Sequence, residues 1–251
     1  MSKVEQTLAK LRKLKLNGMA EVYDQQASQP SVHKLSFDDR LAMLVDREAS
    51  SRDTKKISRL IKSAGFIESA SLEDLDESKG RALDSAQIAS LATCDWLARH
   101  LNVIVLGPSG VGKTWLATAL ATQGCRMGYS ASYYRLSELG EAIHSAMVDG
   151  TIPALKNKLY RVDLLYLDDF GLSTISPQVA AVLLDVINLR QNTGSLMIAS
   201  QFPVSEWHGF FPEPTVADAL LDRVVHKAYR LQIKGESMRK VRGKKQLESA
   251  K

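Results

Sequence analysis

Residues 102–121, NVIVLGPSGVGKTWLATALA, limit the folds open to this chain more than any other stretch. Asn102–Leu106 is a short apolar, β-branched run of the kind that forms a buried strand, and Trp115–Ala121 reads as a helix. Between them stands the pattern G-x-x-x-x-G-K-[ST], formed by Gly107, Pro108, Ser109, Gly110, Val111, Gly112, Lys113 and Thr114. Its glycines let the backbone curl so that N–H groups face phosphate oxygens at the positive end of a helix dipole. Lys113 is expected to reach the β- and γ-phosphates of ATP, and the Thr114 hydroxyl to ligate Mg²⁺.

Downstream, the same alternation repeats. Strands are expected at 130–134, 164–167, 196–199 and 229–233, with helices to about 127, over 136–160, over 177–192 and over 214–227. This predicts an α/β fold, a mainly parallel five-stranded sheet flanked by helices, with the phosphate loop at the carboxyl end of its strand, where ligands of such sheets bind. The strand ending Tyr166-Leu-Asp168-Asp169 places two carboxylates there: Asp168 to hold Mg²⁺ and Asp169 to orient the attacking water. The next strand ends in Ser200 and Gln201, two side chains able to hydrogen-bond the γ-phosphate and its water if that strand lies beside the first.

The upstream third has a different character. Val4, Leu8, Leu11, Leu14 and Val22 recur at near-helical spacing. Ser36-Phe-Asp-Asp39 resembles a capping box that opens another helix. In the segment from Arg47 to Phe66, Arg52, Lys55, Lys56, Arg59 and Lys62 fall on one face of a helix, while Ile57, Leu60, Ile61 and Ala64 form another. The cationic face suits contact with a phosphate backbone, and also suits a solvated surface. The division expected is a helical N-terminal domain at 1–66, a linker with short helices at 67–100, the nucleotide domain at 101–235 and a basic tail at 236–251.

Charge follows the same division. Residues 1–66 carry a net +5, residues 67–223 a net −7 and residues 224–251 a net +7. Basic ends on an acidic nucleotide-binding body point to a polyanionic partner. Two cysteines and five scattered histidines offer no metal-binding spacing, and no apolar run approaches a membrane span, so a cytoplasmic protein is expected, with no membrane partner.

Taken in order, the phosphate loop, YLDDFG at 166–171, IASQFPVSEWH at 198–208, ADALLDRVVH at 217–226 and GESMRK at 235–240 resemble the IstB/DnaC group of AAA+ ATPases, the IstB-type insertion-sequence helpers most of all. The resemblance runs over nearly the whole chain. It implies an AAA+ P-loop NTPase preceded by a small all-helical domain. It also implies an ATPase that binds double-stranded DNA through largely non-specific backbone contacts, forms homo-oligomers with ATP at subunit interfaces, and assists a cognate transposase in transposition. Arg223 matches the arginine finger that reaches a neighbouring subunit's γ-phosphate, Arg239 matches sensor 2, and Ser200 with Gln201 matches sensor 1. Ser-Gln stands where AAA+ proteins usually carry Asn, and the 28 residues after Arg223 are too few for the usual helical lid. A helicase loader of the DnaC type shares the ATP site and differs in the partner of residues 1–66. A small-molecule kinase would need a lid of its own cations, and a nucleotide-gated binding protein would lack turnover.

Overall fold

The computed structural model describes residues 2–75, 83–238 and 240. The chain forms two compact units, Met1–Arg59 and Leu60–Lys251.

In the first unit, helical spacing over residues 3–26 is carried by two helices, α1 (Lys3–Lys13) and α2 (Asn17–Ser28). A left-handed Lys15 breaks the run between them (φ 60°). Ser2 caps α1 in a complete capping box with Glu5. The third helix, α3 (Phe37–Ala64), opens as expected at Ser36, whose Oγ accepts the Asp39 N–H at 3.1 Å. Gly18 is required where α2 meets α3: a Cβ there would lie 2.7 Å from the Arg47 carbonyl oxygen and 2.8 Å from the Glu48 Cα. The Glu48 carboxylate fastens the same crossing, accepting N–H bonds from Gly18 at 2.8 Å and Met19 at 3.3 Å.

Helix α3 ends in the second unit. Ala64 is buried in that unit's core, and Leu60, Ile61 and Phe66 pack against it. The compact N-terminal unit therefore closes at Arg59, earlier than the expected 66. The segment expected as a linker contains α4 (Ser85–Ala92) and α5 (Asp95–Ala98), and it buries Ile88, Leu91, Trp96 and Leu97 in the same core.

The second unit is built on five parallel strands, β1 (Asn102–Leu106), β2 (Ala131–Arg135), β3 (Leu164–Asp168), β4 (Ser195–Ser200) and β5 (Ala228–Gln232), in the order β2-β3-β4-β1-β5. Alternate residues along each strand feed two cores, as the period of two in a strand requires. Val103, Val105, Tyr133, Tyr166 and Met197 face α4, α5 and α6 (Lys113–Arg126). Ile104, Leu106, Leu165, Leu167 and Ile198 face α7 (Leu136–Val148), α8 (Ile152–Arg161), α9 (Pro177–Arg190) and α10 (Pro214–Val225). Central strands covered on both faces explain the near-continuous apolar runs in the sequence.

One buried charge organises the sheet's amino end. Arg190, 1% exposed, donates to the carbonyls of Leu159, Tyr160, Val162, Asp163 and Ser195 at 2.7–3.1 Å. Burial lowers its pKa to about 10, and the nearby Asp163 opposes that shift.

Candidate nucleotide site

At the carboxyl end of β1 the chain turns through Gly107, where a Cβ would lie 2.5 Å from the Ile233 carbonyl oxygen. Gly110 (φ 80°) and Gly112 (φ 102°) then take left-handed conformations open chiefly to glycine. Buried Val111 anchors the loop in the core, while Pro108 and Ser109 are exposed. Gly112 caps α6, so the loop leads directly into a helix start, the end of a helix that favours an anion. Lys113 Nζ lies over the loop, 3.0 Å from the Pro108 carbonyl oxygen. The segment after β5 packs on this loop as well: the Met238 N–H donates to the Gly110 carbonyl at 2.8 Å.

Beside the loop, β3 ends in Asp168, which is 1% exposed. One carboxylate oxygen accepts the Asp169 N–H at 2.9 Å, and the other accepts the Tyr133 hydroxyl at 3.1 Å. The Thr114 hydroxyl lies near enough to this carboxylate to favour its charged form, so the loop and the acidic strand end come together. Burial raises the Asp168 pKa, and the hydrogen bonds from Thr114 and the Asp169 backbone oppose that shift. Asp169 is half-exposed in a left-handed conformation (φ 55°), 3.9 Å from Arg135 Nε. A non-glycine residue held there is a strained position of the kind found at functional sites.

These residues fit a nucleotide with its metal. A glycine cradle, a helix start and Lys113 suit phosphates. A hydroxyl and a buried carboxylate with no salt bridge among the described residues suit Mg²⁺, which typically takes one or two protein ligands and completes its shell with phosphate and water.

Other expected residues fare differently. Strand β4 does lie beside β1, in the register Leu106 to Ser200. Yet Ser200 is fully buried, its hydroxyl donating to the Phe170 carbonyl at 2.7 Å and accepting the Phe202 N–H at 3.1 Å. This corrects the expectation that Ser200 reaches the γ-phosphate: its hydroxyl ties the loop after Asp169 to β4. Gln201 follows, half-buried. Arg239 lies outside the described residues.

Arg223 is in the last turn of α10, half-buried, with its guanidinium folded onto the Ala219 carbonyl. Its backbone carbonyl and that of Val224 accept from the Asn102 side chain, at the amino end of β1. The phosphate loop follows the other end of that strand, roughly 15 Å away at ~3.3 Å per residue. Helix α10 also packs on the sheet face opposite α6. Arg223 is therefore remote from its own subunit's phosphate loop.

On α3, Lys55, Lys56, Arg59 and Lys62 are exposed. Arg52, also exposed, pairs with Glu48 at 2.8 Å, four residues earlier on the same helix. The cationic face thus contains an acid, and Arg52 has a structural task. Nothing local in the sequence marks Tyr133 or Glu48; each acquires its partner through the fold.

A phosphate loop after β1, an acidic end on β3 and a parallel sheet with β1 between β4 and β5 define a P-loop nucleotide-binding protein of the AAA+ class. Among solved structures, DnaI superposes with a TM-score of 0.58 at 20% identity, over 70% of this chain and 94% of that one. The DnaC helicase loader gives 0.54 at 17% identity, over 70% and 99%. At these identities the likeness is one of fold. Residues 9–247 match the family described as IstB-like ATP binding protein, and the chain belongs to that family. It is 45% identical over 202 residues to the IS1162 insertion-sequence ATP-binding protein of Pseudomonas fluorescens, covering 80% of this chain and 87% of the relative. An insertion-sequence ATP-binding protein of Sinorhizobium fredii is 37% identical over 236 residues, covering 94% and 95%.

Proposed function

We propose that this protein is an ATPase that assembles on double-stranded DNA with ATP between subunits and assists the transposase of an insertion sequence. The insertion-sequence names of its relatives favour a transposase over a helicase as the partner. Among the described residues no helix is long and apolar enough to cross a membrane. A DNA-bound role assigns the protein to the cytoplasm.

Within each site, the loop N–H groups and Lys113 would hold the β- and γ-phosphates, and Thr114 and Asp168 would hold Mg²⁺. Bound there, the metal would offset negative charge on the phosphates. Asp169 orients the water that attacks the γ-phosphate, and Gln201 lies on the neighbouring strand end as a second polar group for that water. Arg223 from an adjacent subunit supplies the cation that stabilises charge developing in the transition state. The observation that carries this reading is Arg223 itself, anchored to the amino end of β1 and on the face away from α6, where it cannot serve its own loop.

The test is subunit mixing. Arg223→Ala should bind ATP nearly normally and hydrolyse it on the order of 10³-fold more slowly, the scale of a lost arginine finger. Lys113→Ala should lose nucleotide binding. Combined, the two inactive proteins should regain activity wherever an intact loop meets an intact finger. A mixture that co-assembles and stays inactive rules the shared site out.

A further inference from the structure

Tyr133 belongs to none of the nucleotide-binding motifs, yet its hydroxyl is 3.1 Å from an oxygen of Asp168. The other oxygen of that carboxylate is held by the Asp169 N–H. Tyr133 and the backbone together therefore fix which way the carboxylate faces. The tyrosine is itself located by two rings. Tyr166 meets it edge to face at 5.0 Å and 74°, and Phe66 at 6.5 Å and 71°. Both separations are those of aromatic pairs in contact. Phe66 stands two residues beyond the end of α3, whose final turns supply Leu60, Ile61 and Ala64 to the same core. The helix that carries the exposed cations is thus followed, two residues on, by a ring packed against Tyr133.

We propose that Tyr133 is a positioning residue for the metal ligand Asp168, and that Phe66 links it to the end of α3, so that DNA held on the basic helix alters the metal requirement of the nucleotide site. The positioning half rests on the hydrogen bond alone. The DNA half rests on the function proposed above. Partners that orient a metal ligand are typically worth 10–100-fold in metal affinity. Tyr133→Phe keeps both ring contacts and removes only the hydroxyl, which makes it a clean probe.

The experiment titrates Mg²⁺ against binding of a fluorescent ATP analogue to the full-length protein, with and without duplex DNA. Without DNA, Tyr133→Phe should need about tenfold more Mg²⁺ for half-maximal binding, with unchanged affinity for the analogue in excess chelator. With DNA, the wild-type midpoint should fall several-fold and that of Tyr133→Phe should stay put. Phe66→Leu should lose the DNA-induced shift, whatever its midpoint without DNA, although it binds duplex as tightly in a separate assay. A wild-type midpoint for Tyr133→Phe without DNA overturns the positioning role, and a full DNA shift in Phe66→Leu overturns the link. If wild-type protein fails to bind duplex at all, the DNA function and the link fall together. The DNA-free midpoint of Tyr133→Phe then still decides the positioning role.

Discussion

Each unit contains a buried carboxylate that accepts hydrogen bonds from neighbouring backbone, and the two are opposites. In the N-terminal unit, Glu48 accepts from Gly18 and Met19 and faces Arg52, whose hydrogen bond is the main cause that lowers its pKa. In the nucleotide unit, Asp168 accepts from Asp169 and Tyr133 with no salt bridge among the described residues, and burial raises its pKa. Glu48 has its counter-charge and fastens two helices. Asp168 awaits one, which is what a metal ligand must do before the metal arrives. Arg190 is the reverse case, a buried cation surrounded by carbonyl oxygens.

Four variants can break or sharpen this contrast. The largest effect is expected from Arg190→Leu, which removes the guanidinium donor from five carbonyls at the sheet's amino end. Thermal or denaturant unfolding should register a loss of at least ~3 kcal/mol, and a near-neutral result would mean water replaces the guanidinium. Glu48→Ala strands two backbone donors and should lower stability by about 1–3 kcal/mol at neutral pH. Because the folded-state pKa of Glu48 is depressed, its charge-linked stabilisation is present above the unfolded carboxylate pKa and is lost as pH falls through the folded one. The gap between wild type and Glu48→Ala should therefore narrow in acid; a gap that is constant with pH contradicts the ionic role. Asp168→Asn should do the reverse, stabilising the nucleotide-free protein by roughly 0.5–2 kcal/mol while abolishing Mg²⁺-dependent nucleotide binding, the usual conflict between stability and function at a prepared site. Lower stability in that variant would remove the idea of a waiting charge. The smallest change in stability, within about 0.5 kcal/mol, should follow joint replacement of Lys55, Lys56, Arg59 and Lys62 by Ala. Those changes should instead flatten the salt dependence of duplex binding by up to about four units of slope, with less effect from Arg52, which is engaged by Glu48. An unchanged slope makes the face a solvated one.

What could be read from the sequence follows the same line between local and distant causes. The phosphate loop and the Asp168-Asp169 pair are legible because their chemistry lies in consecutive residues whose backbone must curl or end a strand. The parallel sheet is legible because strand and helix periods alternate without long interruptions. The break at Lys15 is not, since one left-handed residue scarcely disturbs an apolar spacing. Ser200 was misread because an exposed polar strand end and a buried one look alike until its hydroxyl is seen to bond the Phe170 carbonyl and the Phe202 N–H. Tyr133, Glu48 and Arg190 take partners about 30 residues away, and nothing local marks them as more than a core aromatic, a helix acid and a helix-end base.

The separation of Arg223 from its own phosphate loop also fixes an arithmetic for assembly. Under the proposed sharing, a subunit lends its arginine in one direction and borrows from the other, a heterologous contact that propagates instead of closing about a two-fold axis. An open row then always has one loop without a finger and one finger without a loop, so complete sites number one fewer than subunits. A closed ring has as many sites as members. Turnover per subunit would climb gradually with row length in the first case and step up at closure in the second, so activity against assembly size distinguishes filament from ring without an image of either.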